Sequence, residues 1–242
     1  MYALILSGGM GERLRPLTND IPKPMAPVNG KPILWHQIKW LKLAGVTDVV
    51  FLAGYRWESI KEYFGDGANF GINAHYSVED SPLGRGGAIR NGLRMVPEDN
   101  ETVFVLNGDT ITSENPNTLL SDFTQRNSTN KRHMATVMLV QMISPYGLVN
   151  INSDNIVTEF REKVEIPYWI NAGIYVFNKA IINLLPAIGD HETQTFPDLA
   201  ISGQISAIPS REYWRGIDSL KDLREAEEFV SSHEKYIAKP TD

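Results

Sequence analysis

Short apolar runs that stop on turn residues, with amphipathic stretches between them, constrain this chain more than any other feature. Residues 2–7 (YALILS) run into Gly8–Gly9, and residues 102–106 (TVFVL) run into Asn107–Gly108–Asp109. Apolar runs of this length, closed by turn residues, read as strands buried on both faces. Further strands are expected at 46–52, 72–78 and 135–140. Residues 33–44 place Leu34, Ile38 and Leu41 on one helical face, and Gly45 ends that helix. Other helices are expected at 58–64, 88–96 and 118–125. Such alternation predicts an α/β fold, a mainly parallel sheet with helices on both faces.

After Ser144 the rhythm changes. Residues 147–151 and 156–160 flank Asn152–Ser153–Asp154–Asn155 and read as a hairpin, followed by a strand at 169–177. A last helix is expected at 219–231, with Ser219 as its cap and Asp222 reaching back. One domain over 1–232, carrying a sugar-sized elaboration in its second half, is the simplest organisation. Residues 233–242 read as a loosely held tail.

The chain has 242 residues and no cysteine, which excludes disulfides, thiolate catalysis and Cys-ligated metals. Its net charge of −6 argues against nucleic acid or a membrane surface as partner. No run is long enough for a membrane span, and 2–7 is too short for a signal peptide, so a cytoplasmic protein is expected. A homo-oligomer is left open.

Ligands of open parallel sheets bind beyond the carboxyl ends of the strands. The segments at such ends are 8–15, 79–87 and 107–109, two of them rich in glycine. No P-loop pattern is present, and Leu14 stands where a dinucleotide fingerprint needs its third glycine. Pro16, Pro22, Pro24 and Pro27 oppose a helix after the first loop. Arg13, Arg15 and Lys23 instead project from a long loop, and three cations so close together in an acidic chain suit a polyanion. A solvated charged loop explains the same residues about as well.

The stretch GGMGERLRPLTNDIPKPM, residues 8–25, resembles the signature loop of the sugar-1-phosphate nucleotidylyltransferases, G-G-x-G-x-R-L-x-P-L-T followed by P-K-P. SPLGRGGAI, LNGD, YGLV, FREKV and WINAGIYVF follow in family order. The resemblance, which extends to mannose- and heptose-1-phosphate guanylyltransferases, implies a Rossmann-like fold. It implies a Mg²⁺-assisted transfer of a nucleotidyl group from a nucleoside triphosphate to a sugar 1-phosphate, with release of pyrophosphate. By matching positions, Leu6, Gly8, Gly9, Gly11, Arg13, Glu79 and Gly84 would bind the nucleotide, and Arg13, Lys23, Asp109 and Lys163 would be catalytic. Gly147, Glu162, Lys163, Asn171 and Gly173 would bind the sugar phosphate.

Asp109 would be one metal ligand. Many relatives supply the second from W-x-D-I-G, but here the segment reads Trp214–Arg215–Gly216–Ile217–Asp218. Read in the register of some cytidylyltransferases, Asp218 is that ligand. A carboxylate there would also favour the start of the last helix. Glu79 is acceptor-only, matching the adjacent N–H donors of guanine, so GTP is the expected nucleotide. Two other readings stand beside an active sugar-nucleotide enzyme: a silent regulatory homologue, and a cytidylyltransferase for a non-sugar phosphate. Trp35, Trp40, His36 and His133 are expected to be packing or surface residues.

Overall fold

The computed structural model describes residues 1–233, so all but the first residue of the expected tail at 233–242 lies outside the described residues. β1 (Tyr2–Leu6) is followed by two 3₁₀ turns, Glu12–Leu14 and Lys23–Met25, and by a minimal ribbon of β2 (Pro27–Val28) and β3 (Lys31–Pro32). Then come α1 (Ile33–Lys42), β4 (Asp48–Ala53), α2 (Trp57–Phe64), β5 (Asn73–Val78), α3 (Gly84–Leu93) and β6 (Thr102–Asn107). β7 (Thr110–Thr112), α4 (Pro116–Thr129) and β8 (Ala135–Ile143) complete the first half. The second half holds β9 (Leu148–Ile151), β10 (Val157–Arg161), β11 (Glu165–Asn178), α5 (His191–Gln194) and α6 (Phe196–Ile201). It ends with β12 (Ile205–Ser210), β13 (Trp214–Gly216) and α7 (Leu220–Ser232).

Seven strands form one sheet in the order β12-β8-β11-β6-β1-β4-β5. β1 pairs in parallel with β4 and β6, β4 with β5, and β12 with β8. β11 runs antiparallel to both of its neighbours, β6 and β8. The α/β fold with a mainly parallel sheet is thus as expected. Alternate residues of each central strand serve opposite cores. Ala3, Ile5, Val49, Phe51 and Phe104 pack with Leu34, Ile38 and Leu41 of α1 and Phe123 of α4. Leu4, Val50, Leu52, Val103 and Val105 pack with Ile89 and Leu93 of α3. Helices on both faces explain why these strands are apolar throughout.

The hairpin forms as expected, with β9 antiparallel to β10. Asn152 closes its turn, its Oδ1 accepting from the Asp154 and Ile156 N–H groups at 3.0 and 2.9 Å. No α-helix follows the first loop before α1. Trp40 donates to the Glu114 carbonyl at 2.5 Å, His36 meets the Val28 carbonyl at 3.0 Å, and His133 meets the Thr136 hydroxyl at 3.2 Å. These side chains pack the interior, as their residue types suggest; Trp35 lies edge-on to His36, with Lys39 over its ring.

Two expectations fail. α3 starts at Gly84 and ends at Leu93, rather than spanning 88–96. Its glycines oppose helix formation by propensity, but packing requires them. A Cβ on Gly86 would lie 2.8 Å from the His191 nitrogen, and one on Gly87 would lie 2.6 Å from the Ala187 carbonyl oxygen. The Gly86 N–H donates to the Gly189 carbonyl at 2.9 Å, so that loop also satisfies the first turn of the helix. Gly86 and Gly87 therefore serve helix packing. α4 runs four residues past the expected end, from an Asn115 cap whose Oδ1 accepts the Asn117 N–H at 3.0 Å. Among the described residues no helix is long and apolar enough to cross a membrane.

His191 is fully buried among Tyr175, Phe177 and Phe196. Burial holds its pKa down at about 4, with Asp190 opposing that shift and Arg85 adding to it. The unfolded chain therefore binds one more proton than the folded chain between about pH 4 and the usual histidine value. Stability is highest above that window and falls as pH drops through it, by on the order of 3 kcal/mol in total. A His191→Phe variant should lose this component. The check is the difference in Tm between pH 7.5 and 5, which should be smaller in the variant than in the parent.

Candidate active site

The first loop is folded by its own backbone. Gly11 sits at φ +66°, and its carbonyl accepts the Thr18 hydroxyl at 2.7 Å. The Lys23 N–H donates to the Gly9 carbonyl at 2.9 Å, returning the chain to the strand ends. A Cβ on Gly11 would lie 2.8 Å from Lys23 Cβ, so Gly11 is the backing against which the lysine packs.

A solvent-open cavity of ≈ 340 Å³ lies at the carboxyl ends of β1, β4, β5 and β6. Of the expected nucleotide residues, Leu6, Gly8, Gly9, Glu79 and Gly84 line it, together with Lys23 and Asp109. Gly108 is forced to be small: a Cβ there would lie 2.3 Å from the Leu6 carbonyl oxygen and 2.9 Å from Pro24. Glu79 accepts the Leu83 N–H at 3.0 Å, which fixes its carboxylate in the loop before α3.

Lys23 joins the two expected metal carboxylates. Its Nζ lies 2.5 Å from Asp109 Oδ2 and 2.6 Å from Asp218 Oδ1. Arg13 Nη2 reaches the same Asp218 oxygen at 2.8 Å. Burial opposes the charge on Lys23, but Asp109 and Asp218 outweigh it and raise the pKa. Burial likewise opposes ionised Asp218, and Lys23 followed by Arg13 outweighs it and lowers the pKa. Arg13 is largely exposed, so its pair contributes little to stability and leaves the guanidinium accessible.

Backbone pairing brings Asp218 to Asp109. β13 runs antiparallel to β7, with Gly216 opposite Thr110, and the Ile217 N–H donates to the Asp109 carbonyl at 2.8 Å. Ile217 is fully buried just past the end of β13, and Asp218 follows it, its carboxylate reaching Lys23 and Arg13. Ser219 caps α7 by accepting the Asp222 N–H at 3.3 Å. Asp222 also accepts the Asp218 N–H at 3.2 Å and pairs with Arg215 at 3.5 Å, so it holds the Asp218 backbone as well as serving the cap.

The expected sugar-phosphate residues fall into two groups. Gly147, Glu162 and Lys163 sit together at the base of the hairpin, where a Cβ on Gly147 would lie 3.1 Å from Glu162 Oε1. Lys163 takes φ +53° and makes no ion pair among the described residues. None of the three lines the cavity. Asn171 and Gly173 form a bulge in β11, whose register with β8 shifts between Asn171 and Tyr175. Gly173 is at φ +70°, and a Cβ there would strike the Asn107 amide.

Sequence reasoning missed four polar residues beside this site. Asn107 and Arg85 line the cavity, and Arg85 is gripped by Asp190 and Glu192. Arg85 stood out in the sequence only as a cation inside a glycine-rich stretch. Its partners lie over 100 residues away and had no local signal.

A family model described as nucleotidyl transferase matches residues 2–233. The chain is 39% identical over 184 residues to the D-glycero-α-D-manno-heptose 1-phosphate guanylyltransferase of Campylobacter jejuni, covering 76% of this chain and 78% of that one. It is 36% identical over 232 residues to the mannose-1-phosphate guanyltransferase of Saccharomyces cerevisiae. That match covers 92% of this chain but only 63% of the longer yeast protein. Among solved structures it superimposes on HddC of Yersinia pseudotuberculosis with a TM-score of 0.72 at 27% identity, covering 95% and 99% of the two chains. The same protein complexed with GMP-PN gives a TM-score of 0.70 at 25% identity, over the same shares.

The close approaches at the strand ends predict a contrast between two glycines. Gly108→Ala should destabilise the chain by about 1–3 kcal/mol, because its Cβ meets backbone that cannot yield. Gly216→Ala should cost under about 0.5 kcal/mol, because its Cβ would meet only the Trp214 ring, at 3.5 Å. Urea unfolding of both variants checks the pair, and equal costs would contradict the assignment.

Proposed function

Because the chain belongs to the nucleotidyl transferase family, whose sugar-1-phosphate members it resembles throughout, we propose that it transfers a nucleotidyl group from GTP to a sugar 1-phosphate, releasing pyrophosphate. One observation carries this reading: Lys23 is held between Asp109 and Asp218 beside a cavity at the strand ends. A buried-stem cation and two hard anionic ligands meet there, as the handling of a polyphosphate demands. Regulatory silence is disfavoured by the same cluster, which is complete.

The attacking sugar phosphate is already an anion, so no general base is needed. Its oxygen bonds to the α-phosphorus in line with the departing α–β bridging oxygen, which leaves with the electron pair as pyrophosphate. The protein's work is then positioning and charge neutralisation. The Gly8 and Gly9 backbone and Leu6 receive the nucleotide, Arg13 holds the outer phosphates, and Lys23 offsets charge near the reacting phosphorus. Gly84 and Glu79 receive the base. Gly147, Glu162 and Lys163 approach the sugar phosphate from the hairpin, and Asn171 and Gly173 shape the sugar side from β11.

Asp109 and Asp218 would hold Mg²⁺. Their oxygens already converge on one cationic nitrogen, so the Lys23 ammonium stands where positive charge is favoured. Among the described residues no cluster of three or more His, Cys, Asp or Glu is placed to hold a metal. Two carboxylates suit an ion that leaves its other positions to water and phosphate oxygens. When bound, it would supply charge neutralisation at those oxygens.

Guanine is supported by the Glu79 carboxylate and by the guanylyltransferase names of the relatives. The GMP-PN complex of the Yersinia protein points the same way. Mannose 1-phosphate and the manno-heptose 1-phosphate are the acceptors to try first, and the cytoplasm is where such substrates would be met. Pyrophosphate release with GTP, ATP, CTP, UTP and dTTP against both acceptors tests the reading. GTP should be used best, and a preference for CTP, UTP or dTTP would overturn the choice of base. Glu79→Gln should then weaken GTP use by about tenfold to a hundredfold relative to UTP, the worth of one bidentate base contact.

The second carboxylate makes a sharper prediction. Asp218→Gly should lower turnover by about a hundredfold, on the scale of losing one preorganised charge from a reacting site. Adding Gly216→Asp to that variant should restore much of the activity, since many relatives carry the carboxylate at that position. Turnover at saturating Mg²⁺ decides it: a double variant no better than Asp218→Gly would refute the equivalence of the two positions.

A further inference from the structure

Arg85 follows Gly84 at the start of α3 and lines the cavity, and its guanidinium is held by two carboxylates from the 190–192 segment. Nε and Nη2 donate to Asp190 Oδ2 at 2.7 and 2.5 Å, and Nη1 and Nη2 donate to Glu192 Oε1 and Oε2 at 2.7 and 3.0 Å. Four of the five guanidinium N–H groups are thereby consumed.

Glu192 passes the contact on. Its Oε1 also accepts from Asn171 Nδ2 at 2.9 Å and from the Tyr175 hydroxyl at 3.0 Å. Asn171 Oδ1 in turn accepts the Gly173 N–H at 2.9 Å, inside the bulge of β11. Both ends of the Asn171 amide are therefore committed within the protein. Gly173 lies against Asn107, which lines the cavity on the side of Asp109. An unbroken line of contacts thus runs from the loop that receives the base, through Arg85 and Glu192, to the bulge on the sugar side. We infer that Arg85 is a positioning residue for the sugar phosphate: its fork holds Glu192 against the β11 bulge and so sets the sugar-side wall from the nucleotide side of the cavity.

The inference rests on the substrate reading given above, and the arrangement requires a fork. A planar guanidinium can hold two carboxylates at once, whereas a lysine ammonium keeps the stem and the charge but not the geometry. Arg85→Lys should therefore leave the nucleotide KM within about twofold and raise the sugar-phosphate KM about tenfold, the worth of one charge-assisted hydrogen bond. Glu192→Gln should do the same, and the double variant should be no worse than either single, since the two act as one unit. The measurement is steady-state KM for each substrate with the best pair found for the parent enzyme, alongside Tm. An equal or larger rise in the nucleotide KM, an unchanged sugar-phosphate KM, or additive effects would overturn it. Amide hydrogen exchange at residues 171–175, read without substrates, gives an independent arm. Arg85→Lys should speed exchange there at unchanged Tm, and unaltered exchange would overturn the inference even if no substrate pair is turned over. Failure of the parent to turn over any pair, with the exchange result as expected, would fault the substrate reading alone.

Discussion

The site depends on one backbone hydrogen bond, from the Ile217 N–H to the Asp109 carbonyl. It joins two segments over 100 residues apart and extends the short β7–β13 pairing to the point where their carboxylates meet. Two carboxylates this close repel each other unless a cation stands between them, and Lys23 supplies it. The lysine is delivered by a loop whose turn at Gly11 leaves no room for a side chain. Each part is local, but the electrostatic balance exists only when all three segments are in place.

The sheet makes that assembly natural. β1, β4, β5 and β6 run in parallel, so their carboxyl ends open on one side, and the loops that follow β1, β5 and β6 share the cavity there. β11 enters in the opposite sense between β6 and β8, bringing a bulge to the same edge. The Trp214 indole donates to the Ala172 carbonyl at 2.9 Å, tying β13 across that bulge. The loop after β5 and the β11 bulge therefore contact one another through protein atoms, with Arg85 and Glu192 as the direct link.

Much of the fold was legible because its signals are local. Apolar runs ending in turn residues located β1, β4, β5 and β6, and Asn152 marked the hairpin. The start of α3 was missed because its glycines pack on a loop at 186–191 that no nearby residue announces. β7 and β13 escaped notice because strands of three residues carry little periodicity, and β12 because it is an edge strand interrupted by Pro209.

The amino-acid sequence by itself determined the strand–helix alternation, the long proline-rich loop with Arg13 and Lys23, and the family resemblance carried by residues 8–25. These follow from side-chain type and spacing along a few residues. Only the tertiary structure decided that Lys23 lies between Asp109 and Asp218, that Arg13 reaches the same Asp218 oxygen, and that Arg85 faces Asp190 and Glu192. Ion pairs and strand registers between distant segments depend on the chain's path through space, because Coulomb forces and backbone hydrogen bonds act over ångströms whatever the separation in sequence.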